Sequence, residues 1–343
     1  MATLRAAQLR LAGSHRSITT ATLVILFASC ALSSGQTLKV LHVFNGGQGD
    51  GYNPEAPVVV APNGVVYGTT WFGGNLHCGI TVGCGEVFQV VPPSGSQKRW
   101  TYSAIYEFTG GSDGCCVSSA LTLDSQGRLY GVNASLFRLT PPASGKFWQY
   151  TDLYDFSGFA PSTPLLFDNA GNLYGVTPLG GPPNCGTYGC GTVSQFVPTQ
   201  SGPWTQNILY QFTGGTDGAY PASIVLDDTT GEIYGVAQGG GIISPNCTYT
   251  GGCGTVFKLT PAQSGIWTFS VPYSFTGVHS GGPYILVRDS NGKLRGIAER
   301  GQYGERALQR DAVSPAVFQA AGLQHGPVVF LGGGGRDLDS AAS

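Results

Sequence analysis

Short apolar runs return along this chain in a fixed order, each followed by a turn and a second run. The first runs cover residues 58–60, 121–123, 165–167, 224–226 and 285–287. The second runs end on the pairs Tyr67-Gly68, Tyr130-Gly131, Tyr174-Gly175 and Tyr234-Gly235, with Arg295-Gly296 as a degenerate fifth copy. The turns at residues 124–127, 168–171 and 289–292 carry Asp and Gly, because Asp bonds the turn backbone and Gly accepts a positive φ. The pattern therefore predicts repeated strand pairs and an all-β chain.

A third and a fourth strand complete each copy. The third strands are predicted at residues 86–88, 136–137, 192–193 and 255–257. The fourth strands carry a Trp, a Tyr and a Phe at the same spacing, namely Trp100, Tyr106 and Phe108; Trp148, Tyr154 and Phe156; Trp204, Tyr210 and Phe212; and Trp267, Tyr273 and Phe275. Since the offsets are even, we expect all three rings to point to one face of the strand. A row of rings suits a sugar-binding platform, but we predict packing between neighbouring copies, because repeated apolar strands must bury a face.

The number of strands in each copy indicates the fold. Repeats of roughly 40 to 60 residues with four strands are typical of propeller blades, so we predict an all-β β-propeller built from about five four-stranded repeats. Residues 38–44 resemble a fourth strand, with His42 in the Tyr position and Phe44 in the Phe position. No Trp follows Trp267, so we expect this N-terminal strand to close the last blade, whose third strand is predicted at residues 316–319. The alternative is a larger open or oligomeric array.

The N-terminus is typical of an exported protein. Arginines precede an apolar run at residues 21–32, which is shorter than the roughly 20 residues that span a bilayer. We predict a signal peptide over residues 1–35, a propeller domain over 36–320 and a polar, Gly-rich, disordered tail over 321–343. In the alternative, Cys30 carries a lipid anchor, since it ends a loose lipobox. We expect an extracellular, cell-surface or periplasmic location and no transmembrane segment.

Eight cysteines follow Cys30, and six of them lie between the second and third strands of a copy. These six are Cys78 and Cys84, Cys185 and Cys190, and Cys247 and Cys253. In an exported chain, paired cysteines in even number predict a disulfide within each loop. Zinc is the alternative, but zinc ligands need a second pair nearby. Cys115 and Cys116 are adjacent, and both a vicinal disulfide and a bridge to another loop remain open.

Acidic residues suggest a metal only as an alternative. Asp50, Asp113 and Asp217 each precede a glycine at equivalent corners between copies. Asp-Gly at a corner is ordinary turn chemistry, and the alternative is a calcium site; we predict no other cofactor. Histidines and glutamates share no repeat position, so no catalytic residue is predicted. With 10% charged residues and a net charge of −2, the chain lacks the basic surface that nucleic-acid binding requires.

Several blocks of the sequence are similar to a known bacterial repeat. They read Gly-Asn-Leu-Tyr-Gly at residues 171–175, Leu-Tyr-Gln-Phe-Thr-Gly-Gly-Thr-Asp-Gly at 209–218 and Cys-Gly-Thr-Val-Phe-Lys-Leu-Thr-Pro at 253–261. These blocks resemble the GloVer tandem repeat of choice-of-anchor proteins, and the resemblance extends over about residues 38–298. It implies an exported, surface-associated protein. It implies no activity and no catalytic residues.

These features predict a binding or structural module whose partner is a surface protein or a polysaccharide. Trp71 and Phe72 are the candidate ligand-binding residues, because they follow a Tyr-Gly pair and have no aromatic counterpart in the other copies. Their alternative role is packing under the neighbouring cysteine loop. The alternative function is an exported propeller enzyme, a hydrolase or lyase that acts on a carbohydrate or a lactone.

Overall fold

The computed structural model describes most of the chain in one series of sheets. The described residues are 39–117, 119–144, 148–245, 247, 251–262, 265–277, 280–289, 292–300 and 316–318. The chain divides into two units, residues 1–41 and 42–343, and the three described residues of the first unit form no strand. The predicted signal peptide, the lipid anchor at Cys30 and the C-terminal tail lie outside the described residues.

Antiparallel sheets of consecutive strands make up the second unit, as predicted. The first sheet has the order β2 (Val59–Val60), β3 (Val66–Thr70), β5 (Glu86–Val91), β6 (Thr101–Glu107), and the second has β7 (Thr122–Leu123), β8 (Leu129–Val132), β9 (Ser135–Thr140), β10 (Gln149–Asp155). The third sheet has β11 (Leu166–Phe167), β12 (Leu173–Thr177), β13 (Thr192–Val197), β14 (Thr205–Gln211), and the fourth has β15 (Ala219–Leu226), β16 (Ile233–Gly239), β17 (Thr255–Pro261), β18 (Trp267–Ser274). The all-β fold with four strands per repeat is therefore confirmed.

Two smaller sheets flank these four. The fifth sheet contains β19 (Ser280–Arg288), β20 (Leu294–Arg300) and β21 (Ala316–Phe318), and β1 (Gly51–Tyr52) pairs with β4 (Phe72–Gly73). The pairing of β21 with β20 confirms the predicted third strand of the last copy. Across the described part of the chain the helical structure consists of one 3₁₀ turn, at Pro183–Cys185. No helix there is both long and apolar enough to cross a membrane.

The Tyr-Gly pairs have a packing cause. In the first, second and fourth sheets the ring of a third-strand phenylalanine lies against the glycine, and a Cβ on Gly68, Gly131 or Gly235 would overlap that ring. In the third sheet, Gly175 instead faces Leu165 and Pro161. Glycine recurs at this position because the backbone must let another group come close.

Aromatic rings connect the first four sheets one to the next, and the predicted direction of these rings was wrong. Trp148, Trp204 and Trp267 contact the Tyr of the Tyr-Gly pair in the preceding sheet, with ring centroids 5.9 to 6.1 Å apart. Tyr106 and Phe108 instead contact the following sheet. The three rings of a fourth strand therefore do not share one face, because a β-bulge before each Tyr shifts the alternation. The predicted packing between copies is confirmed.

The N-terminal segment repeats these contacts on the first sheet. His42 stacks on Tyr102 at 3.8 Å, as Tyr106 stacks on Tyr150, and Phe44 meets Phe88 edge-on at 5.1 Å. The assignment of His42 and Phe44 to the Tyr and Phe positions is thus confirmed by their contacts. Residues 39–44 lie in no strand, so their pairing with the fifth sheet stays a prediction.

Candidate functional site

The carboxylates of the three predicted corner aspartates accept hydrogen bonds from residues close to them in the chain. Asp113 accepts hydrogen bonds from the Tyr106 hydroxyl at 2.8 Å and the Thr109 amide at 2.9 Å. The same pattern recurs at Asp217, with Tyr210 and Thr213, and at Asp50, with His42 and Asn45. Burial and the facing carboxylate raise the pKa of the tyrosine at the first two corners. Among the described residues no cluster of three or more His, Cys, Asp or Glu side chains is arranged to hold a metal ion.

The cysteine loops contain the predicted disulfides. Bonds join Cys78 to Cys84, Cys185 to Cys190 and Cys247 to Cys253. The sulfur atoms of Cys115 and Cys116 lie 2.7 Å apart without a bond between them. Pairing of these two cysteines stays a prediction.

Trp71 lies beside this adjacent cysteine pair, and Phe72 follows it in the chain. Their rings stack on each other with centroids 5.9 Å apart, and both side chains are half-buried. Burial and Cys115 raise the pKa of Cys116 to about 11, while the side chain of Trp71 acts in the opposite direction. Trp71 thus contacts Cys116, and a ligand-binding role for Trp71 and Phe72 stays a prediction.

A buried carboxyl group, Glu86, is a feature that the sequence analysis missed. Its side chain is fully buried, neither carboxylate oxygen has a hydrogen-bond partner, and Glu107 faces it across the β5–β6 ladder. Burial first, then Glu107 and Asp50, raise the pKa of Glu86 to about 8. The sequence does contain a signal for this residue, because Glu86 is the acidic member of a repeat position at which the next three copies carry Ser135, Thr192 and Thr255.

A cleft of about 630 Å³ lies between the second and third sheets. The half-buried rings of Phe167 and Trp204 supply its aromatic surface, and both rings pack on the buried ring of Tyr130. The hairpin turns that begin at Asp124 and Asp168 form its polar rim. The cleft therefore combines aromatic rings with polar groups, as small-ligand sites commonly do.

The two hairpin turns at the rim of the cleft lack, among the described residues, the bridge that is present at each of the next two boundaries. Between the third and fourth sheets, Asn169 Nδ2 donates to the Asp228 carbonyl at 3.3 Å. Between the fourth and fifth sheets, Arg288 pairs with Asp227 at 2.9 Å. In the described structure no hydrogen bond links the turns of the second and third sheets, where Ser125 stands in place of Asn169.

The charged groups of the cleft are unequally paired. Asp124 accepts hydrogen bonds from Arg128 and from the Tyr130 hydroxyl, and Asp168 accepts from Asn172 and from the Tyr174 hydroxyl. Arg138, on β9, also lines the cleft. Its Nε is buried without a hydrogen-bond partner.

Comparison with solved structures returned distant similarities. The extracellular domain of a hybrid two-component system of B. thetaiotaomicron is 13% identical, with a TM-score of 0.42, covering 70% of this chain and 26% of that one. The extracellular domain of a one-component system of the same organism is 15% identical, with a TM-score of 0.45, covering 77% and 31%. A gluconolactonase from Xanthomonas campestris is 13% identical, with a TM-score of 0.40, covering 75% and 69%. This chain thus spans less than a third of the length of the first two.

A sequence-family comparison gave a direct result. No curated protein matches the chain. The profile described as the Gloeobacter/Verrucomicrobia repeat matches residues 133–307, slightly more than half of the chain. The chain therefore belongs to the Gloeobacter/Verrucomicrobia repeat family.

Proposed function

We propose that this protein is an exported, surface-associated repeat module that binds a polysaccharide in the cleft between its second and third sheets. The observation that carries the proposal is the cleft itself, in which the half-buried rings of Trp204 and Phe167 pack on the buried Tyr130 within a rim of hydrogen-bonding groups. Aromatic rings with polar neighbours suit the apolar face and the hydroxyl groups of a sugar. The three loop disulfides support an exported location.

The chemistry of the cleft favours binding over catalysis. Both carboxylates in it, Asp124 and Asp168, are bonded within their own hairpin turns. An exported hydrolase or lyase is the second candidate, and the raised pKa of Glu86 is the observation in its favour. Because Glu86 is fully buried and does not line the cleft, we place this function second.

We also propose that the sheets close as a propeller, with the N-terminal segment in the fourth-strand position of the fifth sheet. The contacts of His42 and Phe44 with the first sheet support this arrangement, because they repeat the contacts between successive sheets. Closure would cover the edge of the fifth sheet, where backbone groups otherwise lack a partner strand.

Replacing Trp204 tests the binding proposal. Trp204→Leu keeps apolar contact with Tyr130 but removes the indole face, so retention on immobilised polysaccharides should fall. Trp267→Leu is the matched control, because Trp267 contacts Tyr174 in the same way one sheet further along. Affinity electrophoresis through a panel of polysaccharides measures retention, and melting temperatures show that both variants fold. If the polysaccharides retain the two variants equally, or if the parent chain binds no polysaccharide of the panel, the proposal is wrong.

A further inference from the structure

One cation in the cleft has no counterion. At the register position opposite the Tyr of each Tyr-Gly pair, the other sheets carry side chains with partners. Gln89 donates to Ser103 Oγ at 3.1 Å, Gln195 donates to the Tyr174 hydroxyl at 2.7 Å, and Lys258 pairs with Glu232 at 2.7 Å. Arg138 occupies this position in the second sheet, opposite Tyr130. It makes no hydrogen bond or ion pair with any described residue.

An unpaired guanidinium in a half-buried position favours an anion. The group stays protonated at any physiological pH, and its desolvation is unfavourable unless an acceptor replaces the lost water. The carboxylates of the cleft do not supply that acceptor, since Asp124 pairs with Arg128 and Asp168 bonds Asn172 and backbone amides. Arg138 is therefore the cation of the cleft that has no carboxylate partner among the described residues.

The neighbouring rings indicate which anion fits. Trp204, Tyr130 and Phe167 line the same cleft as Arg138. A sugar ring can stack on an aromatic face, and a carboxylate attached to that sugar is planar and accepts two parallel hydrogen bonds from a guanidinium. A simple inorganic anion would use the arginine but not the exposed parts of the Trp204 and Phe167 rings.

We propose that the cleft recognises an acidic saccharide, a uronic acid unit whose carboxylate pairs with Arg138 while its ring lies on the aromatic surface. This inference rests on the proposed function and adds the chemical class of the ligand. A sulfated sugar would also present a negative charge, but in a different geometry. The experiment therefore distinguishes a sugar carboxylate from a sugar sulfate.

The test compares two variants on matched polymers at physiological ionic strength. The polymers are polygalacturonate, the same polymer after reduction of its carboxyl groups, dextran sulfate and dextran. Arg138→Gln introduces the residue that already stands at this position in the first and third sheets, so the strand tolerates it. Lys258→Gln is the control, because it removes a cation at the same register position outside the cleft. We expect Arg138→Gln to weaken binding to polygalacturonate about tenfold or more, as the loss of a charge-assisted pair implies, and Lys258→Gln to leave it unchanged.

Each result decides one point. Equal binding of polygalacturonate and its reduced form, unaffected by Arg138→Gln, would overturn the inference and leave the proposed function in place. Binding of dextran sulfate in preference to polygalacturonate would overturn the assignment of a carboxylate. Absence of binding to every polymer, by the parent chain as well, would overturn both proposals.

Discussion

The boundary between the second and third sheets and the boundary between the third and fourth use the same repeat positions with different side chains. At the boundary between the third and fourth sheets, here called the aromatic boundary, Tyr210 stacks on Phe269 at 3.7 Å and Phe212 meets Phe257 at 5.1 Å. At the boundary between the second and third sheets, here called the polar boundary, the positions that correspond to Phe269 and Phe257 hold Gln206 and Ser194. Gln206 accepts a hydrogen bond from the Tyr154 hydroxyl at 2.9 Å and donates one to Ser194 at 3.0 Å.

This difference shows how a repeat can keep its fold while one boundary acquires a new property. The aromatic boundary is closed by ring packing and by the bond from Asn169 to Asp228. The polar boundary replaces part of this ring packing with hydrogen bonds, while Tyr154 and Phe156 still pack on Phe196, and the cleft lies at its hairpin end. A ligand site on a tandem repeat needs only a few departures from the repeat, because neighbouring contacts carry most of the stability.

The largest expected effect tests whether the aromatic boundary is the stronger one. Phe212 is fully buried, so Phe212→Ala should lower the free energy of unfolding by about 3–5 kcal/mol. Phe156 stands at the matching position of the polar boundary and is only partly buried, so Phe156→Ala should lower it by less. Urea unfolding followed by tryptophan fluorescence measures both. Equal losses would show that the two boundaries do not differ in strength.

Glu86 extends the comparison to the first sheet. It occupies the position at which the fourth sheet has Thr255, whose hydroxyl donates to the Asp217 carbonyl at 3.2 Å. Because the pKa of Glu86 is about 8 in the folded chain and near 4.5 when unfolded, the folded state binds the proton more tightly. The contribution of Glu86 to the free energy of unfolding should therefore be greatest below pH 4.5 and fall, by on the order of 3 kcal/mol, as pH rises to 8.

Glu86→Thr should remove most of this pH dependence. Unfolding in urea at a series of pH values between 4.5 and 8 measures it for both proteins. The control is Glu107→Gln, which removes the facing charge but leaves the buried carboxyl, and should make the slope smaller without abolishing it. A parent protein whose stability does not fall over this range would contradict the assignment of a buried, protonated carboxyl.

The repeat itself could be predicted from the sequence because its signals are local. Asp168 and the positive φ of Gly171 define a hairpin turn, and a four-strand count follows from the periodic apolar runs. The direction of the Trp, Tyr and Phe rings could not be predicted, since a single bulge shifts the alternation. The cleft was missed for a different reason: it depends on the absence of a bridge at Ser125 and of a partner for Arg138, and neither absence leaves a motif.

The smallest expected effect comes from removing the Asn169–Asp228 bridge at the aromatic boundary, or from adding its counterpart at the polar boundary. Asn169 and Ser125 follow the aspartate of equivalent hairpin turns, and only the asparagine donates to the next sheet in the described structure. Asn169→Ala should therefore lower the free energy of unfolding by about 0.5–1 kcal/mol, while Ser125→Asn should raise it by no more than that amount, because one added hydrogen bond contributes little net stability.

The more informative effect of Ser125→Asn is on binding. If the new side chain reaches the turn that begins at Asp168, it closes the cleft in the way that Asn169 closes the next boundary, and polysaccharide retention should fall while the melting temperature does not. Ser125→Ala, which adds no donor and no bulk, should leave retention unchanged. Retention that survives Ser125→Asn in a chain whose unfolding free energy has risen would show that the ligand binds elsewhere, because the bridge would then have formed across a cleft that the ligand does not use.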